Sequence, residues 1–140
     1  MIHSIMMIFM ACGILLVVVG LWFMVYYWLN PMVKDPDGRA SITGQCGDTM
    51  EINLKFKDGR VINASCWTDG CVHSLNSVCA AADMAKGKSP DDIVQIDAGL
   101  IQESVGGLPQ DHLHCAQLAA ETLQAALEDY MIRSVRNGKR

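Results

Sequence analysis

Between Ile5 and Leu29 the chain carries no charged residue, and Ile14 to Val19 followed by Leu21, Trp22 and Phe23 would leave a helix apolar on every face. Such a segment is suited to lipid rather than to the surface of a water-soluble domain. About 25 residues rising about 1.5 Å each cross a hydrocarbon core of about 30 Å with room to tilt. Tyr26, Tyr27 and Trp28 close the run, where amphipathic rings favour the membrane–water interface. A cleaved secretory leader brings a basic start, a shorter apolar stretch and a small-residue cleavage site. Residues 2–33 contain no Lys or Arg, and the run ends in aromatics followed by Asn30 and Pro31. A single-pass transmembrane anchor over residues 1–33 is therefore expected. Lys34 and Arg39, the first cations, follow the span, so the positive-inside tendency places the C-terminal part on the cytoplasmic side. In that compartment free thiols and metal ligands are expected rather than structural disulfides. Cys12, inside the span, reads as a small helix-packing residue.

What remains of the 140 residues is enough for one compact domain. The net charge of −4 and the scattered acids do not make the clustered basic face that nucleic acid requires, so no nucleic-acid partner is expected. Arg133, Arg136, Lys139 and Arg140 give a basic C-terminus, read mainly as a solvated tail over 136–140, with contact to anionic lipid as the second reading.

Residues 34–39 combine Pro36 and Gly38 with charges and read as a polar linker to a domain over 40–135. Ala40 to Thr43 suits a short first strand. Met50, Ile52, Leu54 and Phe56 alternate with Glu51, Asn53, Lys55 and Lys57, which predicts a half-buried strand. Asp58-Gly59 is a hairpin turn signal, and Val61 to Trp67 supplies the antiparallel return. Leu75, Val78, Ala82 and Ala85 then recur at helical spacing up to a stop at Lys86-Gly87-Lys88. Ser89-Pro90-Asp91-Asp92 opens a shorter helix. After the break at Gly106-Gly107-Leu108-Pro109, a last helix is expected from Asp111 or His112 to about Arg133, burying Ala116, Ala119, Ala120, Leu123, Leu127 and Tyr130. The fold class is α+β, about three antiparallel strands with helices on one face, preceded by one transmembrane helix.

Three cysteines fall where chemistry is expected. Cys46 lies in the loop Gly44-Gln45-Cys46-Gly47-Asp48, Cys71 at the start of one helix and Cys115 in the first turn of another. Helix N-termini favour thiolate, the form that binds iron or zinc and attacks sulfur donors, and they are poor places to bury a hydrophobe. Asp48 offers an oxygen ligand and His114 a nitrogen beside Cys115. Cys66, sharing a strand face with Ile62 and Ala64, and Cys79, one turn beyond Leu75, read as packed core residues, Cys79 with an auxiliary thiol role as the second reading. His73 and His112 carry no such signal.

Four ordered stretches carry a resemblance: Thr43-Gly44-Gln45-Cys46-Gly47-Asp48-Thr49-Met50-Glu51, Trp67-Thr68-Asp69-Gly70-Cys71, Ala85-Lys86-Gly87-Lys88, and Gly107-Leu108-Pro109-Gln110-Asp111-His112-Leu113-His114-Cys115-Ala116. Together they resemble the NifU-like, IscU-type scaffold family for iron–sulfur cluster assembly, over roughly Arg39 to Met131. The resemblance implies a SufE/NifU-like fold and a cluster site made of Cys46, Asp48, Cys71, His114 and Cys115. It implies a non-enzymatic scaffold whose thiols can accept persulfide: a cysteine desulfurase delivers sulfur, iron enters, and a transient [2Fe–2S] cluster passes to recipient apoproteins. Val72-His73 stands after Cys71 where the family usually has Gly, and Leu108-Pro109-Gln110-Asp111-His112 stands where some members have Leu-Pro-Pro-Val-Lys. Two further readings accompany the scaffold: a fixed iron–sulfur or structural subunit of a membrane-bound redox complex, and zinc binding or persulfide relay on the same ligands.

Overall fold

In the computed structural model, residues 2–29 and 33–138 are described, with side chains from residue 6 in the first helix through Trp28. Asn30 and Pro31, part of the expected anchor's end, and Lys139 and Arg140 of the basic tail lie outside the described residues. The chain divides into two units, Met1–Met32 and Val33–Arg140.

The first unit is helix α1, Ile2–Leu29. Met6–Trp28 is long and apolar enough to cross a membrane, and none of it is buried against protein. Its aromatics pair along one end: Trp22 stacks on Tyr26 at 5.7 Å and Phe23 on Tyr27 at 6.2 Å.

The second unit is an α+β domain. Strands β1 (Gly38–Thr43), β2 (Thr49–Lys57) and β3 (Arg60–Thr68) form a three-stranded antiparallel sheet in the order β1-β2-β3. Strand β1 begins two residues before the expected Ala40. Within the expected linker, Asp37 accepts from the Phe56 amide at 2.8 Å and from Lys55 Nζ at 3.2 Å, so the chain is already tied to the sheet there. The alternation along β2 is as the sequence predicts, with Met50, Ile52 and Leu54 fully buried. Asp58 and Gly59 both take positive φ, +52° and +74°, which suits the tight hairpin turn and explains why glycine occupies the second position.

One strand face differs from expectation. Lys55 pairs with Asn63 but Phe56 pairs with Val61, which leaves Ile62 in a bulge. Ile62 is consequently exposed while Val61 and Ala64 go into the core.

Helices α2 (Val72–Ala85), α3 (Pro90–Val94), α4 (Ala98–Ser104) and α5 (Leu113–Gly138) cover the sheet. The stop after α2 is where Gly87 donates to the Val61 carbonyl at 2.8 Å. Ser89 and Asp92 form a capping box at the start of α3. Leu75, expected on the buried stripe of α2, is exposed. The inner face is instead Ser74, Ser77, Val78, Ala81, Ala82 and Ala85, small side chains that let the helix lie close to its neighbours. Helix α5 buries Ala116, Ala119, Leu123 and Leu127 as expected, and Tyr130 stacks on Phe56 at 3.7 Å. It continues past Arg133, so Arg136 to Gly138, expected in the tail, are helical.

Candidate functional site

The site forms where the turn before β2, the β3–α2 junction and the start of α5 meet. At the first, the Gly44 amide bonds the Asp48 carbonyl at 2.9 Å and the Gly47 amide bonds the Gly44 carbonyl at 3.0 Å, closing a turn that presents Cys46 to solvent. At the second, Thr68 Oγ1 donates to the Thr49 carbonyl at 2.6 Å, the Gly70 amide donates to Thr68 Oγ1 at 3.1 Å, and the Thr49 amide donates to Asp69 Oδ1 at 2.7 Å. These bonds pin the segment leading to Cys71 against the start of β2, beside Asp48. Gly70 is required by proximity: a Cβ there would overlap the Asp48 carboxylate and the Ser74 Cβ.

Cys71 is the N-cap of α2, exposed and extended in backbone. Backbone and side-chain hydrogen bonding from Ser74 hold its thiol below the ordinary range, as expected of a helix start. Cys115 departs from expectation. A 3₁₀ turn, Gln110–His112, leads into α5, where Leu113 and His114 are exposed but Cys115 faces inward and is only 1% exposed. Burial pushes its thiol up, against the lowering effect of Ser74, and the nearby Cys71, Cys46 and Asp48 charges add to the rise. The two sulfurs are thus prepared differently, one outward and readily ionised, one a buried floor.

Cys71 Sγ, a ring nitrogen of His112 and Cys115 Sγ lie within 4.8 Å of one another. His114 Nε2 stands 3.6 Å from Cys115 Sγ, and the His114 ring lies 6.2 Å from that of His112. Cys46 and His114 line an open cavity of about 440 Å³ with Gly44, Gln117, Leu118 and Glu121. Asp48 reaches the group through Ser74, whose hydroxyl donates to Oδ2. Cys46, Asp48 and His114 therefore surround the Cys71–Cys115 pair without belonging to its tightest group. Soft sulfur with imidazole and one carboxylate suits iron, zinc or an iron–sulfur cluster.

Two residues were missed from sequence. Ser74 looks like ordinary helix filler, and only the structure shows it buried between Asp48, Cys71 and Cys115. His112, two residues before His114, carries no signal in the sequence, but the 3₁₀ turn places its ring nitrogen within 4.8 Å of the Cys71 and Cys115 sulfurs. A third reading is corrected: Cys66 and Cys79 are not packed free thiols but a disulfide joining β3 to α2, which also runs against the expectation of free thiols rather than structural disulfides. The packing of α2 on β3 brings their Cα atoms to 5.3 Å, within bridging range.

The NifU-like N-terminal domain family matches residues 34–137. The chain is similar to iron-sulfur cluster assembly scaffold protein IscU 1 of Archaeoglobus fulgidus, 36% identical over 108 residues, covering 76% of this chain and 69% of that one. It is similar to iron-sulfur cluster assembly protein 3 of Arabidopsis thaliana, 33% identical over 69% of this chain and 58% of that protein. With nitrogen fixation protein NifU of Nostoc sp. it shares 29% identity over 72% of this chain but only 34% of the longer protein. The crystal structure of a NifU-like N-terminal protein from Brucella abortus has the same fold, with a TM-score of 0.54 at 17% identity over 71% of this chain and 83% of that one. In its motifs, its sheet and its helices, the chain belongs to the NifU-like N-terminal domain family.

Proposed function

We propose that this protein is a scaffold on which [2Fe–2S] clusters are built by Cys46, Asp48, Cys71, His114 and Cys115 and from which they are passed to recipient apoproteins. The observation that carries the reading is the convergence of Cys71 and Cys115, with His114 and the Ser74-held Asp48 beside them, at one surface of a NifU-like domain. The cluster is cargo. Sulfur arrives when a thiolate of the site attacks the outer sulfur of a cysteine desulfurase persulfide. The desulfurase leaves as its thiolate, and the transferred sulfur takes two electrons from an external reductant to become sulfide. Exposed Cys71, with its lowered thiol pKa, and exposed Cys46 on its turn are the nucleophiles that a partner can reach.

Helix α1 serves as a single-pass anchor in lipid, holding the domain on the cytoplasmic side, next to membrane-bound clients or a membrane protein complex. What supports this is the apolar length of Met6–Trp28 and the first cations following it.

The test is anaerobic reconstitution of the full chain in detergent micelles with ferrous iron and sulfide, followed by visible absorption before and after adding apo-ferredoxin. Transfer of the chromophore within minutes supports the scaffold. A cluster that stays on the chain and cycles between redox states favours a fixed redox subunit, and colourless protein holding stoichiometric zinc favours a zinc site.

A further inference from the structure

The far end of α5 carries an apolar face that the domain does not cover. Met131, Ile132 and Val135 are 52%, 58% and 61% exposed. At about 100° per residue they lie about 140° round the helix from the stripe of Ala119, Leu123, Ala126 and Leu127 that packs into the core, so they do not extend it. From Met131 onward the chain has Arg133, Arg136, Lys139 and Arg140 and no acid, in a protein whose net charge is −4. Arg133 is paired with Asp129 at 2.9 Å, whereas exposed Arg136 makes no ion pair among the described residues. Arg136 stands one turn after Ile132 and borders the apolar face, and Glu128, one turn before Ile132, limits it on the side of the domain. Apolar side chains flanked by cations suit an interfacial helix, whose apolar face enters the headgroup layer while its cations meet lipid phosphate.

The same end of α5 lies where the chain arriving from α1 enters the domain. A Cβ on Gly38 would overlap the Ala126 carbonyl and the Tyr130 Cβ, and the Arg39 amide donates to Asp129 Oδ2 at 2.9 Å. The start of β1 therefore crosses α5 within about a turn of Met131. Trp28 ends the apolar segment and Gly38 begins β1 ten residues later, a length of chain that spans at most about 35 Å. With α1 in lipid, a bilayer surface is within the tether's reach of this crossing. Cys115 is at the opposite end of α5, about 30 Å from Val135 along the axis at about 1.5 Å per residue.

We propose that Met131, Ile132, Val135 and Arg136, with the basic residues that follow, form a lipid-docking face that seats the C-terminal end of α5 on an anionic bilayer surface. Contact at that end leaves the cluster site, at the other, open to partners arriving through water. A second copy of the chain fits the face less well, because pairing the two faces would bring two sets of these cations together. The inference rests on the anchor reading, which supplies the nearby bilayer, and the experiment reads α1 and α5 separately.

The test is lipid photolabelling of the full chain reconstituted in vesicles. One set is phosphatidylcholine with about 30% phosphatidylglycerol and the other is phosphatidylcholine alone. Each is doped with a lipid bearing a diazirine near the glycerol end of an acyl chain. Adducts are mapped by peptide mass spectrometry on Met6–Trp28, on residues 131–138 and on the α4 segment Ala98–Ser104, whose exposed Leu100 reports adventitious labelling. In the anionic vesicles, labelling of 131–138 is expected to exceed that of α4 by about fivefold or more, and to fall by about fivefold without phosphatidylglycerol or in Arg136→Glu. Ile132→Ser with Val135→Ser should lose it as well, and Arg136→Lys should keep it. Labelling of 131–138 no greater than that of α4, or unchanged by Arg136→Glu, by the double variant or by omitting phosphatidylglycerol, overturns the face. Cross-links between two copies through 131–138 in place of lipid adducts also overturn it and give the face to a second copy. If Met6–Trp28 is labelled and 131–138 is not, the docking face falls and the anchor stands. If 131–138 is labelled and Met6–Trp28 is not, the anchor falls and the face stands as a peripheral lipid contact.

Discussion

The buried hydroxyl of Ser74 donates to the carboxylate of Asp48, joining the first turn of α2 to the turn that carries Cys46. The same oxygen lies 3.4 Å from Cys115 Sγ and 3.6 Å from Cys71 Sγ. One small side chain thus holds one carboxylate and two sulfurs, the proposed ligands, in register. Preorganisation of this kind lowers the ordering cost of binding.

Ser74→Ala should therefore cost about 1 kcal/mol of stability, measured by denaturant unfolding, because the Asp48 carboxylate loses a donor. It should also raise the Cys71 thiol pKa part of the way to the ordinary value. The side-chain hydrogen bond is lost, but the larger backbone contribution from Ser74 remains. A return of the thiol all the way to its ordinary pKa would assign the whole effect to the hydroxyl.

The two paired thiols should titrate apart. Hydrogen bonding lowers the Cys71 pKa, so its thiolate forms, and its alkylation rate rises, below the ordinary thiol range of about 8–9. Burial raises the Cys115 pKa, so its rate rises above that range. Iodoacetamide labelling of the metal-free chain across pH, resolved by peptide mass spectrometry, checks this. Near neutral pH Cys71 should be modified well before Cys115.

Much of the fold was legible because its signals are local. The alternation over Met50 to Lys57, the Asp58-Gly59 turn and the Ser89–Asp92 cap each concern neighbours along the chain. The bulge at Ile62 was not legible, since it is a property of strand pairing. Nor was the inward face of α2 around Ser74 and Ser77, which depends on how closely the helix approaches its neighbours. At the site, position on a helix start agrees with the lowered Cys71 thiol pKa, but it misled for Cys115, whose burial raises its thiol instead. His112 and the Cys66–Cys79 bond required three-dimensional proximity to be seen at all.

Asp48→Ala should leave cluster formation possible but slow its release, since a carboxylate oxygen holds iron less tightly than thiolate and gives the cluster a weak corner. The measurement is the rate of transfer to apo-ferredoxin after reconstitution. Unchanged kinetics would remove Asp48 from the release step.

Placing a charge in mid-helix tests the anchor. Leu16→Arg in α1 adds about 2.5–3.5 kcal/mol to the cost of insertion. The parent chain should remain in carbonate-washed membranes, with a substantial fraction of the variant released. Equal retention of both would argue that α1 does not hold the chain in lipid.

The Cys66–Cys79 bond closes a loop, 13 residues in separation, that contains Cys71. A closed loop of this size restrains the unfolded chain by about 3 kcal/mol. Cys66→Ser with Cys79→Ser should therefore lower the denaturant midpoint of the oxidised protein, and dithiothreitol should lower the parent to nearly the same value. The bond also ties the middle of α2 to β3, so opening it should loosen the helix start. Hydrogen exchange at Val72 to Leu75 should quicken on reduction, while the β1–β2 pairing around Ile52 stays protected. Unchanged exchange at those amides would mean that the hydrogen bonds at Thr68, Asp69 and Ser74 hold Cys71 in place without help from the bond.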